Sequence, residues 1–239
     1  MIQPNEIQET YLRAATDFWN CKSMRNLCSG KLPQDDLCDF ISNVFRTHFN
    51  SPHILAFLFS SLPSHTSGLL RDNLLEELGL TSGGSAHPPL LVDLAKGAGF
   101  TEVEVSKLVS ESQDQIRQFC STPMPFPTLR DLILSVLLET EAFEFLLSRY
   151  AASIGATLHE RYGLTRQAVR WFDLHAEVDI RHAEEGIHVI TDFLDFYRVG
   201  KDEFEKIRRA TFHTNMFLKR YFPKALGTTC TPQLERVPT

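Results

Sequence analysis

The sequence predicts an all-α fold, a single bundle of seven to nine helices. Apolar residues recur with a period near 3.6 in almost every segment, and no strand-like alternation is sustained over five residues. The breaks between segments are short loops marked by Gly or Pro. At 239 residues, 43% of them hydrophobic and 23% charged, the chain is long enough to bury a core without disulfides or metal staples.

The elements follow in order. Ile7, Tyr11, Leu12, Ala15, Phe18 and Trp19 form one stripe at helical spacing. After Gly30 and Pro33, Leu37, Phe40, Ile41, Val44, Phe45 and Phe49 form the next. Pro52, suited to a first helical turn, opens a short apolar helix through Leu58. Residues 64–78 read as another helix stopped by Gly79, and 81–85 as a loop. His87-Pro88-Pro89 opens a helix running towards Lys96. Thr101 with Glu104 three residues on is a capping box for a helix reaching Cys120. The Pro-rich stretch 123–127 is a break too short to separate domains. Two long helices, 128–162 and 165–198, are separated by Gly163, and a last helix covers 201–221. Residues 1–222 are therefore expected to form one helical domain, and 223–239, rich in Thr and Pro, a flexible tail.

Composition narrows the function. A formal charge of −6 with no basic run argues against nucleic acid, which needs clustered Lys and Arg. No apolar stretch approaches the ~18–20 residues that span a bilayer, and no signal-peptide core precedes the first helix, so a cytoplasmic protein without a membrane partner is expected. The five cysteines, an odd number without a C-x-x-C pair, read as reduced thiols.

The chemistry concentrates in His175-Ala176-Glu177-Val178-Asp179-Ile180-Arg181-His182. Positions i, i+4 and i+7 of a helix fall within an arc of about 60°, so His175, Asp179 and His182 project from one face. Two imidazoles and a carboxylate are a ligand set for iron or another first-row metal. Read as a solvated face, the same residues would pair with Arg181 or Arg170. Elsewhere, Glu76 and Glu77 close one helix and His87 opens the next. Glu139, Glu141 and Glu144 lie on an otherwise apolar helix, Glu144 on its stripe, where a buried carboxylate needs compensation. An ion pair with Arg149 or Arg130 is the alternative for Glu144.

These motifs together resemble the heme-oxygenase-like diiron oxidases and oxygenases, whose helical scaffold is shared with thiaminase-II-like proteins. The resemblance spans residues 10–220. It rests on Gly30-Lys31-Leu32-Pro33 before Leu37 and Phe40, on Asn73-Leu74-x-x-Glu77-x-Gly79 with His87-Pro88 after it, and on His-x-x-x-Asp-x-x-His at 175–182, followed by Ala183-Glu184-Glu185. It implies Glu77, His87, Glu144, His175, Asp179 and His182 as ligands of two Fe(II) ions, with O2 as co-substrate. Glu144 is preferred for its 31-residue spacing to His175, with Glu141 as its replacement and Glu76 as that of Glu77.

The implied activity is oxidation and cleavage of an amino acid. N-oxygenating members recruit an extra carboxylate from an early helix, and Phe40 through Arg71 holds no Asp or Glu, which favours C–H or C–C cleavage over N-oxygenation. Fatty-acid or amino-acid decarboxylation belongs to the same scaffold. Size and motifs resemble the cyanobacterial members that turn a brominated tryptophan into an indole nitrile, and Phe45, Phe49, Phe57, Phe59, Phe143 and Phe145 are candidates for an apolar pocket. The expected partners are a small amino-acid-like substrate and an external reductant, with a homodimer as the assembly. A metal-free hydrolase or binding protein of the thiaminase-II-like kind is the alternative, and would need Cys120 or Cys38 at the central pocket. His48, His53, His65, His159, His188 and His213 show no ligand spacing and read as structural or exposed.

Overall fold

A computed structural model describes residues 2–81 and 84–226, and among them there is no strand. Ser82 and Gly83 of the expected loop, and residues 227–239 of the expected tail, lie outside the described residues. The chain forms α1 (Pro4–Trp19), α2 (Lys22–Cys28), α3 (Gln34–His48), α4 (Ser51–Ser61), α5 (Ser67–Glu77), α6 (His87–Gly97), α7 (Glu102–Ser121), α8 (Leu129–Tyr162), α9 (Arg166–Phe196), α10 (Lys201–Phe212) and α11 (Met216–Tyr221), with a 3-10 turn at Pro223–Leu226. Nine of these run eleven residues or longer and make the bundle. Apolar periodicity does not mark the two short ones as separate helices. α2 is capped by a thiol, Cys21 Sγ accepting from Met24 N, a cap outside the usual Ser/Thr/Asp/Asn signature.

The single helix expected over 201–221 is two. Asn215 accepts from Leu218 N and donates from Nδ2 to the Ala14 carbonyl, so it starts α11 afresh and ties it to α1. The new direction turns Met216, Phe217 and Tyr221 into the core. The helix expected from residue 64 begins at Ser67, after a turn in which Pro63 O accepts from Thr66 N and Ser67 N.

The hairpin of α8 and α9 is the axis of the bundle, with both long helices capped by threonine side chains, Thr128 and Thr165. α5, α6 and α1 pack on α9, and α10, α4 and α2 on α8. The hairpin is tight where Gly186 of α9 faces Glu141 of α8, since a Cβ at 186 would stand 1.8 Å from Glu141 Oε2. Phe18, Phe40, Phe217 and Phe222 build an aromatic cluster that holds the C-terminal segment. Phe18 meets Phe217, Tyr221 and Phe222, and Phe40 stacks on Phe222 at 5.1 Å between centroids.

Candidate metal centre

All six predicted ligands are buried, and they fall into two groups of three. Glu77, the last residue of α5, and His87, the first of α6, meet His175 of α9. Gly79 makes that meeting possible: its φ of +68° suits the left-handed turn, and a Cβ there would be 2.4 Å from Ala86 N. Glu144 of α8 meets Asp179 and His182 of α9. Within each group one donor atom per residue lies within 4.8 Å of the others.

The first group is well braced. His87 Nδ1 is 3.0 Å and His175 Nε2 3.7 Å from Glu77 Oε1, while Ser51 Oγ donates to Glu77 Oε2 at 2.6 Å. His175 Nδ1 lies 2.8 Å from the Trp171 carbonyl. A carbonyl only accepts, so Nδ1 carries the proton and Nε2 keeps its lone pair for the centre. Burial raises the Glu77 carboxyl, but the His175 and His87 imidazoles beside it outweigh that and hold it below the usual carboxylate range.

The second group is crowded with acceptors. His182 Nδ1 lies 3.4 Å from both Glu144 Oε2 and Asp179 Oδ1, and Asn73 Nδ2 donates to Glu144 Oε1 at 3.3 Å. On the far side of the ring, Glu76 Oε2 accepts from His182 Nε2 at 3.0 Å, and Arg181 pairs with Glu76. Glu76 therefore lies behind His182, and Glu77 is the one of the two that joins His87 and His175. Glu141 is buried against Gly186 and belongs to neither group; burial and the Glu144 charge push its carboxyl well up. Burial and Glu144 likewise raise Asp179. Burial lowers His182, but Asp179 and Glu144 prevail and lift it to about 11.

The donor set suits a cation. Glu144 Oε2, both Asp179 oxygens, His182 Nδ1 and His87 Nδ1 are buried without a hydrogen-bond partner among the described residues, as are Asn73 Oδ1 and Glu141 Oε1 outside the two groups. Such orphaned atoms are costly unless an ion satisfies them. Three carboxylates and three imidazoles match the mixed O/N preference of first-row divalent metals, and the carbonyl and carboxylate behind His175 and His182 are the braces that metal-ligating histidines use.

A cavity of about 560 Å³ opens onto Glu77, Glu144 and His175. Its walls include Ile54, Leu55, Leu132, Val136, Phe143 and Leu147, and it carries the charged residues Arg46, Glu139 and Arg220. Of the six phenylalanines expected there only Phe143 lines it, joined by Phe119 of α7. Phe45 and Phe145 are core, and Phe49 stacks on Phe45. Neither Cys120, which is exposed, nor Cys38 lines the cavity. His48, read from the sequence as structural or exposed, does line it; no spacing rule could find it, because its partners Tyr221 and Trp171 lie far along the chain.

The model of the family described as iron-containing redox enzyme matches residues 38–214, a span that holds all six predicted ligands. No curated protein matches the chain.

Proposed function

Because the chain belongs to the family of iron-containing redox enzymes, we propose that it is a non-heme diiron oxygenase that uses O2 to oxidise and cleave an amino acid. The observation that carries this reading is the pair of buried three-residue donor groups, five of whose atoms lack partners, opening onto one largely apolar cavity. Glu77, His87 and His175 would hold one iron and Glu144, Asp179 and His182 the other. Iron held there supplies the one-electron chemistry that lets dioxygen react with a closed-shell organic substrate.

The protein's own contribution is placement. Ser51, Asn73, Glu76 and the Trp171 carbonyl orient the ligands from behind. Ile54, Leu55, Val136, Phe143 and Leu147 receive an apolar side chain and exclude water beside the donors. The lack of Asp and Glu from Phe40 through Arg71 favours C–H or C–C cleavage. Within that class the substrate we favour is a tryptophan, brominated on its ring, with an indole nitrile as product. The cavity volume accommodates an indole, and its charged residues suit an amino-acid head group.

The test is mass spectrometry of aerobic reactions with ferrous iron, a reductant and a panel of amino acids that includes halogenated tryptophans. An oxidised, shortened product that requires both iron and O2 is the expected result. Iron-loaded protein that consumes no O2 with any of them contradicts the proposal.

A further inference from the structure

His48 is a buried imidazole on the cavity wall with one nitrogen occupied and one free. Its Nε2 lies 2.6 Å from Tyr221 Oη, itself fully buried. That hydroxyl has no other partner among the described residues, so its proton must be donated to Nε2 if it is to be satisfied. The tautomer follows: Nε2 accepts, and Nδ1 carries the hydrogen. Nδ1 has no protein partner among the described residues. Phe143 meets the ring edge-on at 5.1 Å and Trp171 lies 4.8 Å from it, so the ring is held in place. Burial keeps it neutral, down to about 3, against the pull of the Glu77 and Glu144 carboxylates.

Arg220 directly precedes Tyr221 and lines the same cavity. Its Nε and Nη2 both serve a single oxygen, Glu139 Oε1, at 2.7 and 2.6 Å, which leaves Nη1 without a partner among the described residues. With 46% of its side chain exposed, it reaches the protein surface, while Glu77 and His175 are deeply buried. The cavity thus offers a free guanidinium edge and a neutral N–H donor, both fixed by one dipeptide, Arg220-Tyr221.

We propose that His48 and Arg220 form a carboxylate-binding subsite, Nδ1–H and Nη1 donating to the substrate's carboxylate while its apolar body lies along Val136, Phe143 and Leu147. His48 and Arg220 touch the substrate, and Tyr221 is a positioning residue that fixes the His48 tautomer. The proposal deepens the amino-acid reading above and rests on it. A carboxylate held by protein donors leaves the amine and the carbons next to it free to face the buried ligand groups.

The test compares hydrocinnamate with its amide and with phenylpropylamine, matched in shape and differing in head group. Each is titrated calorimetrically into the full chain, both metal-free and loaded with Fe(II) under anaerobic conditions. Charge-assisted hydrogen bonds predict that the carboxylate binds about 10–100-fold tighter than the amide. That preference should be equal with and without iron. Arg220→Gln, a half-exposed change that leaves the core intact, should reduce it to near parity. His48→Leu should cut it about tenfold, His48→Gln should restore it by returning an N–H donor, and Tyr221→Phe should fall between. Equal binding of amide and carboxylate, no binding of any probe, or full preference in Arg220→Gln would overturn the proposal. So would preference for the amine, which would assign the site to Glu139, or a carboxylate preference seen only with iron, which would place the head group on the metal. Failure to take up iron or consume O2 would sink the oxygenase reading and leave the metal-free titration to decide the subsite.

Discussion

The two ligand groups share α9 but differ in how far the protein satisfies them. Glu77, His87 and His175 leave one buried atom, His87 Nδ1, without a partner; Glu144, Asp179 and His182 leave four. The first group couples one carboxylate to two imidazoles, and Ser51 and the Trp171 carbonyl brace it. The second sets two carboxylates against one imidazole, which lifts His182 to about 11, while burial and Glu144 push Asp179 up. Equal numbers of ligands therefore do not make equivalent sites. On the diiron reading proposed above, the first group would be preorganised by the protein, and the second would take a cation in exchange for protons.

The largest effect that would sharpen this contrast is removal of a ligand. Asp179→Ala should take iron content from two ions per chain to one and abolish turnover, since half of the centre is lost. Elemental analysis of the variant reads this directly. Next comes the brace behind His182: Glu76→Gln should weaken iron binding at the second group about 10–100-fold and leave the first unaffected, as two-site titration would report.

The pH dependence should also separate the groups. For each proton displaced, affinity falls about tenfold per pH unit as pH drops. His182, protonated up to about 11 in metal-free protein, makes the second site the steeper between pH 8 and pH 6. The same shift gives metal-free protein stability that is complete below the ordinary histidine value of ~6.5 and lost as pH rises through about 11. The smallest effect tests the hairpin that carries both groups. Gly186→Ala, whose Cβ would strike Glu141, should cost about 1–3 kcal/mol, seen as a thermal-melt shift of about 2–4 °C per kcal/mol. An unchanged melt would mean that the Glu141 side chain yields to the new methyl group without disturbing how α8 packs on α9.

The same division shows in what could be read from the sequence. Helical periodicity exposes α8 and α9, and with them the shared face of His175, Asp179 and His182, because three ligands on one helix are a local pattern. Glu77 and His87 are legible through the glycine turn between their helices. The choice between Glu76 and Glu77 is not: adjacent residues on a helix point about 100° apart, and only the packing of α5 on α9 decides which one faces inward. The choice of Glu144 over Glu141 is likewise a matter of which α9 residues stand opposite. The break at Asn215 and the role of His48 depend on Ala14 and Tyr221, contacts across the whole chain that no spacing rule reaches.

The proposed function requires two inequivalent irons held side by side along α9. An anaerobic Fe(II) titration followed by calorimetry tests it most directly. Two ions per chain are predicted, the second binding with the larger proton release and vanishing in Asp179→Ala. A single ion per chain, or two with equal proton release that both persist in Asp179→Ala, would contradict it.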